Sequence, residues 1–218
     1  MLRLSFGHFT PPLRHILCFG AHGDDLEIGC AGTVLKLTEQ PNPPAITWVV
    51  FTSDAKREAE ILRSAEALLR RASRSRIIIQ KFRDGFLPYE GAAVKESFED
   101  LKHEVAPDLI LTHYRDDRHQ DHRLVSELTW NTYRDHFILE YEIPKYDGDL
   151  GSTNFYVPLD ESLTRRKIEA IMTGFPSQAE KRWFDEETFR SVLRLRGMEC
   201  NAPGNYAEAF YCRKLVVG

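Results

Sequence analysis

Short apolar runs that alternate with helix-patterned segments constrain this chain more than any other feature. Arg14–Gly20 (RHILCFG) is brief and apolar and reads as a buried strand. Asp25–Thr38 follows with Leu26, Ile28, Val34, Leu35 and Leu37, a mostly helical pattern. Ala45–Thr52 (AITWVVFT), β-branched and aromatic, is a second strand. Asp54–Ala72 is helical, with Ile61, Leu62, Ala65, Leu68 and Leu69 as its apolar stripe and Asp54 as N-cap. Arg76–Gln80 is a third strand, Ala93–Val105 a helix that ends before Pro107, Asp108–His113 a fourth strand, and Asp121–Tyr133 a further helix. Strands joined by crossover helices predict an α/β fold, a mostly parallel sheet flanked by helices on both faces. Such open sheets carry their sites beyond the carboxyl ends of the strands. Here the ends of the first and fourth strands hold the richest polar chemistry.

The second half is less regular. Phe137–Ile143 and Thr153–Leu159 read as strands, Leu163–Met172 and Glu186–Gly197 as helices, the latter closed by Gly197, and Ala207–Val217 as a final strand. With 218 residues and no linker, repeat or low-complexity stretch, one domain over 1–218 is expected. Its core would lie at about 14–180, with the C-terminal helix and strand completing it. A net charge of −4 lacks the overall footprint of a nucleic-acid binder. The basic run Arg70–Arg76 suits the end of a helix, where cations complement the carbonyls. No apolar run is long enough for a transmembrane helix, and residues 1–25 lack a proper signal peptide. The four cysteines form no CxxC pair and suit reduced thiols in the cytoplasm, Cys18 and Cys212 as small core residues. A homo-oligomer stays open.

Two polar clusters carry the chemistry. The first is Ala21-His22-Gly23-Asp24-Asp25-Leu26-Glu27, at a strand-to-helix turn. His22 and Asp25 are three residues apart and can point at one ion, while Asp24 points beside it. Alone, this is equally well a polar loop whose aspartates cap the next helix. The second is Asp116-Asp117-Arg118-His119-Gln120-Asp121-His122, after the fourth strand. His119 and His122 are again three apart, with Asp121 between them. Alone, this reads as a capped helix start with two surface histidines. Together, at the carboxyl ends of two parallel strands, the clusters offer His22, Asp25 and one of the second pair as three protein ligands. Three ligands with one open position is the layout of a catalytic zinc site, and no cysteine stands near to make a structural one.

AHGDDLEIGCAGT, at 21–33, resembles the AHPDDxE signature of the PIG-L/LmbE-like metal-dependent deacetylases, and HQDH, at 119–122, resembles their second signature, HxDH. Arg57-x-x-Glu60, Arg83-Asp84-Gly85 and Ser177-Gln178 are smaller similarities, and the likeness spans roughly 14–180. The resemblance implies a Rossmann-like fold and zinc-dependent removal of an N-acetyl group from an amino sugar or its conjugate, commonly an N-acetylglucosamine derivative. It implies zinc held by His22, Asp25 and His122, Asp24 as general base, His119 as the electrophilic or acid partner, and Asp121 orienting or tuning His119. Zinc lowers the pKa of its bound water to about 7, Asp24 accepts the proton, and zinc with a protonated His119 faces the oxyanion. Either Asp24 or His119 protonates the departing amine. Arg57 and Asp84 reach for the sugar or an attached phosphate; for Arg57 a solvated helix residue is an equal alternative. Gly23 stands where the family has proline, contributes no ligand, and suggests looser loop geometry.

Glu27 suits a helix first turn or a supporting role behind a ligand. Asp117 reads as a loop residue, and His113 as a hydrogen-bonded packing residue at the end of the fourth strand. Ser53 and Ser126 lack the GxSxG elbow, and the glycines make no GxGxxG, which argues against a serine hydrolase of this architecture and against a dinucleotide site. Ferrous iron (Fe2+) is the alternative to zinc (Zn2+), because two histidines and a carboxylate also form the iron facial triad. The alternative functions are a zinc amidase for another acyl amide, such as a thiol conjugate, and a binding relative without catalysis. Asp24 and His119 speak against the latter, since binding zinc requires neither.

Overall fold

The computed structural model describes residues 12–216. The last strand, predicted to run to Val217, ends at Cys212 and leaves 213–216 without strand structure, whereas the sequence reading of residues 1–11 lies outside the described residues. Among those residues the order is β1 (His15–Gly20), α1 (Asp25–Thr38), β2 (Ala45–Thr52), α2 (Ala55–Leu69), β3 (Ser75–Phe82), α3 (Gly91–Glu104), β4 (Leu109–His113), α4 (Gln120–Thr132), β5 (Phe137–Tyr141), β6 (Phe155–Leu159), α5 (Glu161–Gly174), α6 (Glu186–Glu199) and β7 (Tyr206–Cys212). All seven strands join one sheet in the order β3–β2–β1–β4–β5–β7–β6. The strands β1 to β5 run parallel, and β7 is antiparallel to both its neighbours.

The period-two alternation of β1 divides the interior between the two faces. Ile16 and Cys18 join a core with α1, α2, α5 and α6, while Leu17 and Phe19 join one with α3 and α4. On that second face Phe19 packs on Phe98 at 4.7 Å and on Phe51 at 5.9 Å. The strand leaves for β2 on one side and has β4 on the other. The loops after β1 and β4 therefore diverge and leave a crevice at the carboxyl ends, where the order of an open sheet reverses.

Helix α1 starts at that crevice and is buried on nearly every side. Two glycines let it sit so deep: a Cβ at Gly29 would meet Tyr141 Cδ2 at 2.2 Å, and one at Gly32 would meet Leu159 Cδ1 at 2.5 Å. A buried ion pair grips its middle. Glu208 of β7 accepts the amide N–H groups of Gly32 and Thr33 at 2.7 and 2.6 Å. Lys167 of α5 pairs with Glu208 and donates to the Ile28 carbonyl at 2.6 Å. Each charge is thus compensated in a dry setting, where an unpaired one would cost several kcal/mol.

The sequence-based bounds of α1 and β2 match the structure. Helix α2 ends at Leu69, earlier than predicted, because the chain turns at Ala72 and Ser73 bonds the Pro44 carbonyl on its way into β3. Asp54 does cap α2, accepting from the amides of Lys56 and Arg57. Gly197 does not close α6, which runs on to Glu199. It is a close-approach position instead: a Cβ there would fall 2.1 Å from the Asn205 carbonyl oxygen. Cys18 is buried, and Cys212 is only partly so.

Replacing glycine by alanine in an exposed helix gains about 1 kcal/mol. At Gly29 the sign reverses, because the Tyr141 ring is held by its hydroxyl donating to the Phe19 carbonyl at 2.6 Å. We expect Gly29→Ala to cost about 1–3 kcal/mol, seen as a lower urea midpoint with an unchanged slope.

Candidate metal centre

The two clusters meet in the crevice. The first occupies the turn from β1 into α1, where the His22 amide donates to Asp25 Oδ2 at 2.6 Å. Asp25 is the first residue of α1, where the helix dipole favours a carboxylate. The second occupies the turn from β4 into α4. His119 is the N-cap of α4, its Nδ1 accepting from the Asp121 amide at 3.3 Å, and His122 lies in the first helical turn.

His22 Nδ1 stands 3.0 Å from His122 Nε2 and 3.3 Å from Asp25 Oδ2, while His122 Nε2 stands 3.5 Å from Asp25 Oδ1. The outer nitrogen of each ring is already committed. His122 Nδ1 faces Asp117 Oδ2 at 2.9 Å, and His22 Nε2 faces Asp84 Oδ1 at 3.1 Å and Asp121 Oδ2 at 3.3 Å. With those N–H groups donating outwards, the two inner nitrogens are lone pairs in the neutral rings. Two lone pairs and a carboxylate converge on one point, which therefore requires a positive charge. A proton on His22 meets the requirement: burial opposes it, but Asp25, Asp121 and Asp84 outweigh burial and hold the His22 pKa well above its ordinary value. A divalent cation meets it as well. Zinc ligands at about 2.0–2.2 Å in a tetrahedron stand about 3.3–3.5 Å from one another. The separations of 3.3 and 3.5 Å, to Oδ2 and Oδ1 of Asp25, match that geometry, and the 3.0 Å between the two ring nitrogens is a few tenths of an ångström shorter; the outward N–H···carboxylate bonds are of the kind that orient metal-bound imidazoles. Ligand atoms of His22, His119 and His122 lie within 4.8 Å of one another, as do those of Asp25, His113 and His122.

The other predicted residues surround this point. Asp24 is buried; desolvation and the neighbouring Asp25 raise its pKa, against the pull of Arg57, whose Nη2 is 3.3 Å from Asp24 Oδ1. Arg57 also reaches Asp84 at 3.8 Å, and its buried Nε has no hydrogen-bond partner among the described residues. Asp84 is largely exposed at the rim, its carboxyl kept ionised by His22. The His119 ring lies 4.7 Å from that of His22 and 4.6 Å from that of His122. Burial and His22 lower its pKa. The Asp121 carboxylate bonds the amides of Gly85 and Leu87 at 2.7 and 3.1 Å as well as His22. Its link to His119 runs through the backbone N–H.

Three further residues belong to the centre. Asp117 is the support of His122, and its other oxygen takes the His119 amide at 2.8 Å. Against burial, the bonded His122 and the charges of His113 and a lysine hold its carboxyl well below the ordinary range. That lysine is Lys145, 3.0 Å from Asp117 Oδ1 and 2.6 Å from Asp149. His113 is buried, stacks on His122 at 4.0 Å, and its Nε2 meets the Ala21 amide at 3.0 Å and Asp25 Oδ2 at 3.1 Å. Behind them Glu27 accepts from the Ser64 hydroxyl at 2.6 Å, and burial lifts its pKa to about 8. Gly23 does not loosen its loop: it is buried, and a Cβ there would meet Ile61 Cγ1 at 2.9 Å.

The family model PIG-L, described as GlcNAc-PI de-N-acetylase, matches residues 17–133, more than half of the chain. The chain belongs to the PIG-L family of de-N-acetylases. Its fold is shared with N,N'-diacetylchitobiose deacetylase from Pyrococcus horikoshii at 22% identity and a TM-score of 0.72, covering 96% of this chain and 87% of that one. It is shared also with the 4-carboxy-2-hydroxymuconate hydratase GalB from Pseudomonas putida, at 16% identity and a TM-score of 0.74, covering 94% and 98%. A third is the zinc-inhibited form of the teicoplanin deacetylase Orf2, at 14% identity and a TM-score of 0.68, covering 90% and 97%. No helix among the described residues is long and apolar enough to cross a membrane.

If the convergence point holds a proton until a cation replaces it, zinc uptake at pH 7 releases about one proton per ion. Calorimetric titration in buffers of different ionisation heat reads that number directly. The apparent affinity then falls as pH falls, because a higher proton concentration competes with the cation for the same nitrogen. Uptake with no proton release contradicts the assignment.

Proposed function

We propose that this protein is a zinc-dependent N-deacetylase that hydrolyses the acetamide of an N-acetylated amino sugar or its conjugate. One observation carries the reading: His22, Asp25 and His122 converge on a point that Asp24 borders from one loop and His119 from the other. When bound there, the cation activates water and polarises the acyl carbonyl. The protein groups then divide the work. Asp24, made more basic by burial, accepts the proton of the attacking water. Arg57 holds the Asp24 carboxylate in place.

His119 accepts the Asp121 amide at Nδ1, so its neutral ring carries the remaining proton on Nε2. That N–H is a donor for the oxyanion that develops on the acyl oxygen. A neutral donor replaces the protonated one expected from sequence, because burial and His22 disfavour a second charge. As the C–N bond breaks, Asp24 returns its proton to the departing amine, and the products are acetate and a free amino sugar.

The family description supports amide hydrolysis, and the diacetylchitobiose deacetylase among the structural neighbours supports the amino-sugar class. The hydratase among them demonstrates that the fold alone does not choose the reaction. A cytoplasmic setting suits a chain with four sparse cysteines and no CxxC pair.

The test is acetate release from a panel of N-acetylated amino sugars and their conjugates, with zinc-loaded and chelator-treated protein in parallel. We expect release only from the loaded form. Asp24→Asn should lower kcat by at least about 100-fold while zinc stoichiometry stays unchanged. Full turnover in that variant would remove Asp24 from the mechanism.

A further inference from the structure

One lysine braces the second polar cluster from outside it. Lys145 lies on the β5–β6 connection, in neither sequence motif, yet its side chain is only 9% exposed. Its ammonium stands between two carboxylates that are themselves buried, 3.0 Å from Asp117 Oδ1 and 2.6 Å from Asp149 Oδ2. Asp147, at 3.8 Å, is a more distant and half-exposed third. Among the described residues no other lysine or arginine forms an ion pair with Asp117 or Asp149.

Those two carboxylates carry the turn from β4 into α4. Asp117 Oδ2 faces His122 Nδ1 at 2.9 Å, and Asp117 Oδ1 accepts the His119 amide at 2.8 Å. Asp149 Oδ2 accepts the Arg118 amide at 2.7 Å. The segment from Arg118 to His122 thus hangs on two acids, and both acids lean on one ammonium. Without it, two like charges would face each other in a setting too dry to screen them. They would move apart, and Asp117 would leave its place behind His122. A lysine that served only to fasten its own connection would need no more than Asp149, its neighbour four residues on. The reach to Asp117 is what joins it to the centre.

We infer that Lys145 is a positioning residue for the cation site. By offsetting the charge of Asp149 it keeps Asp117 seated on His122, so that His122 Nε2 stays aimed at the convergence point. This rests on the cation reading of that point and extends it to a residue outside both motifs. Lys145 acts through Asp117 and touches no reacting atom.

The test is the Kd for zinc, read at pH 7 by competition with a chromophoric chelator, which needs no substrate. Lys145→Met keeps the apolar stem and removes the charge. It should weaken zinc binding by about 10-fold or more, as loss of the group that orients a metal-bound histidine does. Adding Asp149→Asn should restore most of that affinity, because the repulsion is gone. The Asn carbonyl still accepts the Arg118 N–H, and its NH2 group can donate to Asp117. Such a recovery separates positioning from a general loss of packing, which a second substitution would deepen. An unchanged Kd in Lys145→Met overturns the assignment, and so does a loss that Asp149→Asn leaves in place. If Lys145→Met alone does not fold, the double variant decides: affinity near that of the unsubstituted protein supports the assignment, and a loss of about 10-fold overturns it. Unsubstituted protein that binds no zinc in the same titration removes the cation site, and the assignment with it.

Discussion

Three acceptors that face one another without a proton of their own are the constraint on which the rest of this structure depends. His22 Nδ1, His122 Nε2 and Asp25 stand 3.0–3.5 Å apart. A buried cluster of that kind is unfavourable unless positive charge occupies its middle. The surrounding carboxylates make the arrangement sturdy. Asp117 fixes one ring, Asp84 and Asp121 the other, and each outward N–H turns a lone pair inward. The same carboxylates organise the neighbourhood, because Asp121 binds the β3–α3 loop and Asp117 binds the β5–β6 connection through Lys145.

The fold supplies the meeting place. Two loops from adjacent parallel strands diverge at the crevice between β1 and β4, and each ends in a helix N-terminus. Helix α1 must be deeply seated to hold His22, Asp24 and Asp25 there. Gly29 and Gly32 allow that approach, and the Lys167–Glu208 pair grips the helix from the far half of the chain. The C-terminal segment is therefore tied to the site although it contributes no candidate ligand.

Much of this was legible in the sequence, for reasons that differ by element. Periodicity located α1 and β2 because their apolar patterns are long and uninterrupted. It misplaced the end of α6, because a glycine reads the same whether it stops a helix or lets another segment approach it. The residues of both motifs meet because spacing and strand ends are local signals, and Arg57 and Asp84 reach the same cleft. Asp117 lay beside the second motif but looked like any loop aspartate. Lys145 carried no signal, since a single lysine in a polar loop shows nothing of the distant carboxylates it binds. The Glu208 grip on α1 was equally hidden, being a contact 176 residues apart in sequence.

The central claim is that one divalent cation sits among His22, Asp25 and His122. The most direct measurement is an anomalous-scattering map at the zinc edge from crystals of protein loaded with one equivalent of zinc. The account predicts a single ion about 2.0–2.2 Å from His22 Nδ1, His122 Nε2 and an Asp25 oxygen. An ion bound instead on the outer side of His22, between Nε2, Asp84 and Asp121, would contradict it, as would crystals that take up no zinc at all.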